Sequence, residues 1–393
     1  MRRSTTRPRL AAGPQGAVLI CAAAALALLA ACASTSKDER PAVLVNFPMK
    51  FTPVRAWSVS LGDGLPKLRL GLAPATDGQR VYVANGKGLV LALDPATGKR
   101  LWEHRLRATL AGGPGAGGGL VLLGSAAGVV TALDAASGKE LWHTSLNSEI
   151  LAAPVPGGDL VAVRTVDGRL YGLAAKDGTQ RWVTDQPVPK LTLRGTSSPI
   201  ITGDYVVAGF DNGRLMAVTA GGGTTAWDVA VTQARGTSEL QRLIDIDAPP
   251  VVDLDELYVV AFQGHLERLS RDTGREIWSH DLSSYRGLAL DTVGVLVTTA
   301  DGDVVKLDRA GGAERWRQKG LARHTLTAPV VQGSALAVGD AQGYIHWLSL
   351  EDGAFQARAK VGGALKVAPL LAAGLLIVQT DKGAIEAWRA KAH

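Results

Sequence analysis

The chain has 393 residues, 42 Lys and Arg against 36 Asp and Glu, and a formal charge of +6. With 46% hydrophobic residues it can bury a sizeable core, and its 47 glycines suit a fold dense in turns. Cys21 and Cys32 are the only cysteines, which excludes a disulfide framework and cysteine-based zinc clusters.

Arg2, Arg3, Arg7 and Arg9 open the chain as a positive region, and Ala17 to Leu29 follows as an apolar run. That run is short for a bilayer crossing and is followed by small residues, so it reads as a secretory signal rather than a spanning helix. One alternative is an ordinary signal peptide cut at an Ala-x-Ala-like site. The other is that Leu29-Ala30-Ala31-Cys32 resembles the bacterial lipobox, which implies cleavage after residue 31 and acylation of Cys32. Acyl chains stabilise membrane attachment by roughly 0.8 kcal/mol per buried methylene, so several of them moor a soluble domain. Ala33 is not Asp, which for such lipoproteins implies the outer membrane, with the domain facing the periplasm. Loss of the four leader arginines leaves 38 basic against 36 acidic residues, and no basic block remains to favour nucleic acid.

From Cys32 to Pro53 the sequence contains Ser, Thr, Lys, Asp, Glu and three prolines and shows no convincing period. It is expected to be a tether, about twenty residues reaching at most roughly 70 Å. Trp57 follows, in a strand-like run that lacks a turn glycine four residues earlier.

After the tether three marks recur in fixed order. A proline stands at 74, 114, 154, 199, 249, 329 and 369, with Leu290 at the eighth place. A turn glycine follows at 88, 128, 168, 213, 264, 302, 343 and 383. Then comes Gly-x-x-x-Trp, at Trp102, Trp142, Trp182, Trp227, Trp278 and Trp316, while the seventh copy keeps Gly353 and has Ala357 in the tryptophan slot. Short β-rich runs such as Val81-Tyr-Val-Ala lie between the marks. Asp167-Gly168, Asn212-Gly213 and Asp301-Gly302 are expected as two-residue hairpin turns with positive φ at both residues. Each repeat is therefore four antiparallel strands, A to D, and helical periodicity is absent. The eighth repeat stops near Trp388 without a D strand, and the Trp57 strand supplies it. The prediction is an all-β, eight-bladed propeller over residues 54–393, closed by its N-terminal strand, which removes the open edge of an incomplete blade. The tryptophans are expected between blades as core rather than as a cofactor stack.

The unit Asp-x-x-Thr-Gly-Lys-x-x-Trp at Asp94 to Trp102, nearly repeated at Asp134 to Trp142, resembles the repeat of pyrroloquinoline-quinone propellers. Two eight-bladed families share it: quinoprotein dehydrogenases, and the BamB lipoproteins of the outer-membrane β-barrel assembly machinery. The dehydrogenases are longer and commonly carry a vicinal cysteine pair and a calcium site, and this chain lacks the cysteine pair. Its seven histidines are scattered, and no catalytic triad, metal motif or phosphate loop emerges. Resemblance to BamB implies no cofactor, no metal and no catalytic residue.

Two connections depart from the repeat. Trp to next proline usually spans 12 or 13 residues; it spans 17 after Trp182 and 22 after Trp227, and 17 after Trp57. The two adjacent long loops share one rim of the ring, where long loops are more often functional than structural. The first carries Lys190-Leu-Thr-Leu-Arg-Gly195 and the second Arg235 to Asp247. Both resemble BamB segments that grip a periplasmic POTRA domain of BamA. That resemblance implies Leu191, Leu193 and Arg194 as anchors, with Asp245 and Asp247 either as acidic partners or as loop-ordering groups. The competing structural reading pairs Arg194 internally with these aspartates. The expected function is scaffolding in outer-membrane protein assembly, with nascent outer-membrane proteins as a further partner. The alternatives are a quinone-dependent periplasmic dehydrogenase and a generic ligand- or protein-recognition propeller.

Overall fold

A computed structural model describes residues 40–64, 71–194, 197–234, 237–238 and 240–392. Cys32, the expected acylation site, lies outside the described residues. Eight four-stranded antiparallel sheets follow one another, and in seven of them the strands run in simple sequence order. Blade 1 is typical: A is Ala75–Thr76, B Val81–Ala84, C Leu89–Leu93 and D Arg100–Arg105. The eighth sheet joins Leu370–Ala372, Leu375–Gln379 and Ala384–Ala392 to the N-terminal strand Phe51–Ser60 as its D strand. The expected ring closure is therefore present.

Strand B is buried on both faces, while strand D buries little besides its tryptophan, so polarity rises outward through each blade. The cores lie between blades. Tyr82, Val90 and Trp102 of blade 1 pack with Val121, Leu123 and Leu133 of blade 2. Each D-strand tryptophan lies over the C–D turn glycine of the next blade: a Cβ on Gly98 would stand 2.6 Å from Trp57, and one on Gly138 2.6 Å from Trp102. These glycines also hold φ of 71° and 72°, so any side chain there meets both strain and an indole. The indole N–H donates to a carbonyl of the same turn, as in Trp102 to Ala135 at 2.9 Å and Trp182 to Ala220 at 2.8 Å. Burial and a satisfied N–H together make the tryptophan a joint between blades.

This joint explains Ala357. The C and D strands of blade 8 come from opposite ends of the chain, so no C–D turn connects them and no glycine shelf awaits a blade 7 tryptophan. Blade 7 instead carries Trp347 on its C strand, directly opposite Ala357 and fully buried. Its N–H donates to Gln332 Oε1 at 2.9 Å, and its ring meets Phe51 edge-on at 6.0 Å. In blades 1, 2 and 4 the same cross-strand pair is alanine on C and tryptophan on D.

Two expectations change. Asp167, Asn212 and Asp301 do not hold positive φ; only the following glycines do, at 84°, 74° and 90°. The Gly168 N–H closes onto the Thr165 carbonyl at 3.2 Å, a type I-like turn finished by a left-handed glycine. Of the segment 32–53 expected as a tether, residues 51–53 belong to the closing strand, and residues 42–50 are bonded along the outside of blade 7. Ala42 and Leu44 face the ring there, giving that stretch apolar contacts a free tether lacks.

Candidate functional site: the rim of blades 3 to 5

The connection from blade 3 to blade 4 runs from Gln186 to Pro199, and that from blade 4 to blade 5 from Val231 to Pro250. Both leave from the rim that carries the B–C hairpins, since the Gln186 N–H donates to the Gly168 carbonyl and the Val231 N–H to the Gly213 carbonyl. The floor beneath them is buried. Arg164 and Asp211, both buried, form an ion pair between blades 3 and 4, and the Arg164 guanidinium lies 5.3 Å from the centre of the Phe210 ring. Ser197 Oγ donates to the Ala248 carbonyl at 3.0 Å and ties one long loop to the other.

On this floor the expected anchors separate by exposure. Leu191 is 45% exposed and Leu193 is half-buried. Arg194 is exposed and has φ of 57°, an unusual backbone for a residue with a side chain. Its backbone N–H donates to Thr192 Oγ1 at 3.0 Å, and its guanidinium bonds Glu149, which stands on the connection from blade 2 to blade 3. The internal pairing of Arg194 with Asp245 or Asp247 is thus replaced by one with Glu149.

The two aspartates are not at the surface. Asp245 is fully buried and Asp247 is buried, alternating with buried Ile244 and Ile246. Ile246 fills the space above Gly209, where a Cβ would stand 2.3 Å from its Cγ2. The Phe262 N–H donates to the Asp245 carbonyl at 2.8 Å, linking the loop to the next blade. Both carboxylates are thus buried at the base of the loop, with Asp245 fully enclosed and Asp247 9% exposed. The loop projects further out instead, where Leu240 is 69% exposed. Leu240 was legible only as one apolar residue in a polar loop, and Glu149 belongs to a connection of ordinary length. Neither carried a signal in the repeat spacing.

The arrangement offers exposed apolar side chains beside the Arg194–Glu149 ion pair. The groove on the opposite face, between blades 5 and 6, is lined by Arg268, Arg309 and Arg315. These pair with Glu256, Asp253 and Asp308 respectively, so their charges are already met within the ring. One titratable cluster escaped the sequence reading. Asp340 Oδ2 lies 3.1 Å from His324 Nδ1 and 2.8 Å from His346 Nε2, all three groups being buried. Burial lowers the His346 pKa and outweighs the pull of Asp340, so that ring is neutral at pH 7. Burial raises the Asp340 pKa, but hydrogen bonds from His346 and the Tyr344 N–H more than offset it and hold the carboxyl below the usual range.

A family model described as outer membrane protein assembly factor BamB matches residues 54–114, 86–318 and 300–392. The outer membrane protein assembly factor BamB of Pseudomonas aeruginosa is 44% identical over 367 residues, covering 93% of this chain and 97% of the relative. That of Escherichia coli is 33% identical over 372 residues, covering 91% and 95%. The crystal structure of BamB from Moraxella catarrhalis superposes with a TM-score of 0.78 at 30% identity, covering 86% of this chain and all of that one. Quinohemoprotein alcohol dehydrogenase from Comamonas testosteroni superposes with a TM-score of 0.68 at 14% identity, covering 87% and 77%, a likeness of fold alone.

Proposed function

Since the chain belongs to the BamB family of outer membrane protein assembly factors, we propose that it is a non-catalytic scaffold whose blade 3 to 5 rim docks on a POTRA domain of BamA. In this reading residues 1–31 are a removed leader. Cys32 is acylated at the outer membrane, and the ring faces the periplasm, where it assists the folding and insertion of β-barrel proteins. The lipid confines the search for BamA to the membrane surface, and the rim supplies specificity. The observation that carries the reading is that Leu191, Arg194 and Leu240 are exposed on two neighbouring long loops that Ser197 fastens together over a buried floor. Apolar and arginine side chains held on a buried support suit the centre of a protein interface, because little ordering entropy is lost on binding.

The test is copurification with BamA from solubilised membranes. Leu191→Asp and Arg194→Glu are each expected to weaken capture by at least tenfold, as loss of an anchor worth about 2 kcal/mol does. Circular dichroism and Tm are expected to stay as in the parent protein. Full recovery of BamA with both substitutions combined would remove the rim from the interface.

A further inference from the structure

Residues 42–50 are not needed to close the ring, since the D strand of blade 8 is already complete from Phe51. They are nevertheless fastened at successive points. The Ala42 N–H donates to the Ala322 carbonyl at 3.0 Å, and the Ala42 carbonyl lies 2.8 Å from His324 Nε2, so both backbone groups meet the junction of blades 6 and 7. Leu44 packs against the core cluster between those blades. The Val45 carbonyl accepts from Arg358 at 3.1 Å. Phe47 stacks on Phe355 with centroids 5.2 Å apart, and the Arg358 guanidinium lies 5.1 Å and 5.4 Å from the two rings. The Lys50 N–H donates to the Gln356 carbonyl at 2.7 Å, on the outer strand of blade 7. The cluster of His324, Asp340 and His346 lies beneath, with Arg358 donating to His346 Nδ1 at 3.2 Å.

The strap alternates. While Ala42, Leu44 and Phe47 face the ring, Val43 is 88% exposed, Val45 58% and Met49 47%. An ordered segment thus carries three outward apolar side chains, and ten residues separate Ala42 from Cys32, a span of at most about 35 Å. We propose that this strap is a mooring face: it fixes where the N-terminal arm leaves the ring, at the edge of blades 6 and 7, and lays Val43, Val45 and Met49 against the lipid surface. The occupant is a bilayer because the strap is continuous with the chain that ends in the acyl anchor, and the proposal rests on that anchor. In an eight-membered ring blade 7 lies opposite blade 3, so mooring at blade 7 turns the rim of blades 3 to 5 away from the attachment point and toward the periplasmic partner.

Single-cysteine labels at Glu351 and Lys176, equivalent turn positions on blades 7 and 3, read the geometry in the acylated full-length protein on vesicles containing brominated phospholipid. The blade 7 label is expected to be quenched at least threefold more than the blade 3 label. Replacing the outward set (Val43→Ser, Val45→Ser, Met49→Ser) is expected to reduce that ratio while amide exchange at Ala42 and Lys50, the two bonded N–H groups of the strap, stays slow. Releasing the strap with Leu44→Ser and Phe47→Ser is expected to bring the ratio to one and make exchange fast, with the ring's Tm nearly unchanged. Equal quenching in the parent, or a ratio indifferent to both sets, overturns the proposal while leaving the anchor intact. A photocrosslinker at Val45 that captures a protein in intact membranes overturns the lipid assignment. Mass spectrometry showing Cys32 without acyl chains sinks the anchor and the mooring face together.

Discussion

Trp347 shows how one residue registers the topology of the whole chain. A D-strand tryptophan works only where the next blade presents a turn glycine, and blade 8 has no such turn. Trp347→Ala is expected to cost about 3–5 kcal/mol, the usual penalty for truncating a buried tryptophan, read as a lower midpoint in denaturant unfolding. Ala357→Trp is expected not to recover it, because the indole at that position finds no glycine to lie on; recovery would contradict the shelf argument. Glu267 offers a second test. It shares a strand face with Leu269, which packs with Trp227 and Val259 between blades 4 and 5. Burial, with Glu276 nearby, pushes its carboxyl up to about 8 from 4.5. Folding therefore favours the protonated acid, a contribution complete below pH 4.5 and lost as pH climbs through 8. Glu267→Gln is expected to match the parent near pH 4.5 and to exceed it by a few kcal/mol at pH 9, since a tenfold change in proton affinity corresponds to about 1.4 kcal/mol. A gap between the two proteins that does not widen with pH would remove the buried charge as its cause.

At the scale of elements, the long loops were legible because a repeat makes its own exceptions visible: spacings of 17 and 22 stand out against 12 or 13. What each residue does within a loop was not legible. The sequence leaves Asp245 and Asp247 open to either role, partner contact or loop ordering; in the structure Ile244 to Asp247 are all buried, and Ile246 fills a space left open by Gly209. Leu240 on the exposed part is the stronger candidate for contact. Leu240→Asp is expected to leave stability within about 0.5 kcal/mol, as substitutions at exposed positions usually do, and to weaken BamA capture several-fold in the same copurification assay. Unchanged capture would confine the contact to the first loop.

For the whole molecule, closure is a contact between chain ends. Phe51–Ser60 pairs with Ala384–Ala392 and brings Trp57 onto the blade 1 turn, where its indole donates to the Pro95 carbonyl at 3.0 Å. The ring is expected to unfold in one calorimetric transition. A chain beginning at Leu61 leaves blade 8 with three strands and an open edge, and is expected to melt lower and to aggregate on size-exclusion chromatography; a truncated chain that stays monomeric with parental Tm would refute the role of closure. Blade number, strand order, the closing strand and the position of the long loops were all determined by the sequence, because a repeat states the same short-range pattern many times and one odd copy cannot obscure it. Only the tertiary structure decided that the histidines at 324 and 346 share an aspartate, that Arg194 reaches Glu149, that the rim aspartates are buried and that residues 42–50 bind blade 7. Each of these joins residues from different repeats or from outside the repeat, and such pairings are set by how blades abut in space, which no local period records.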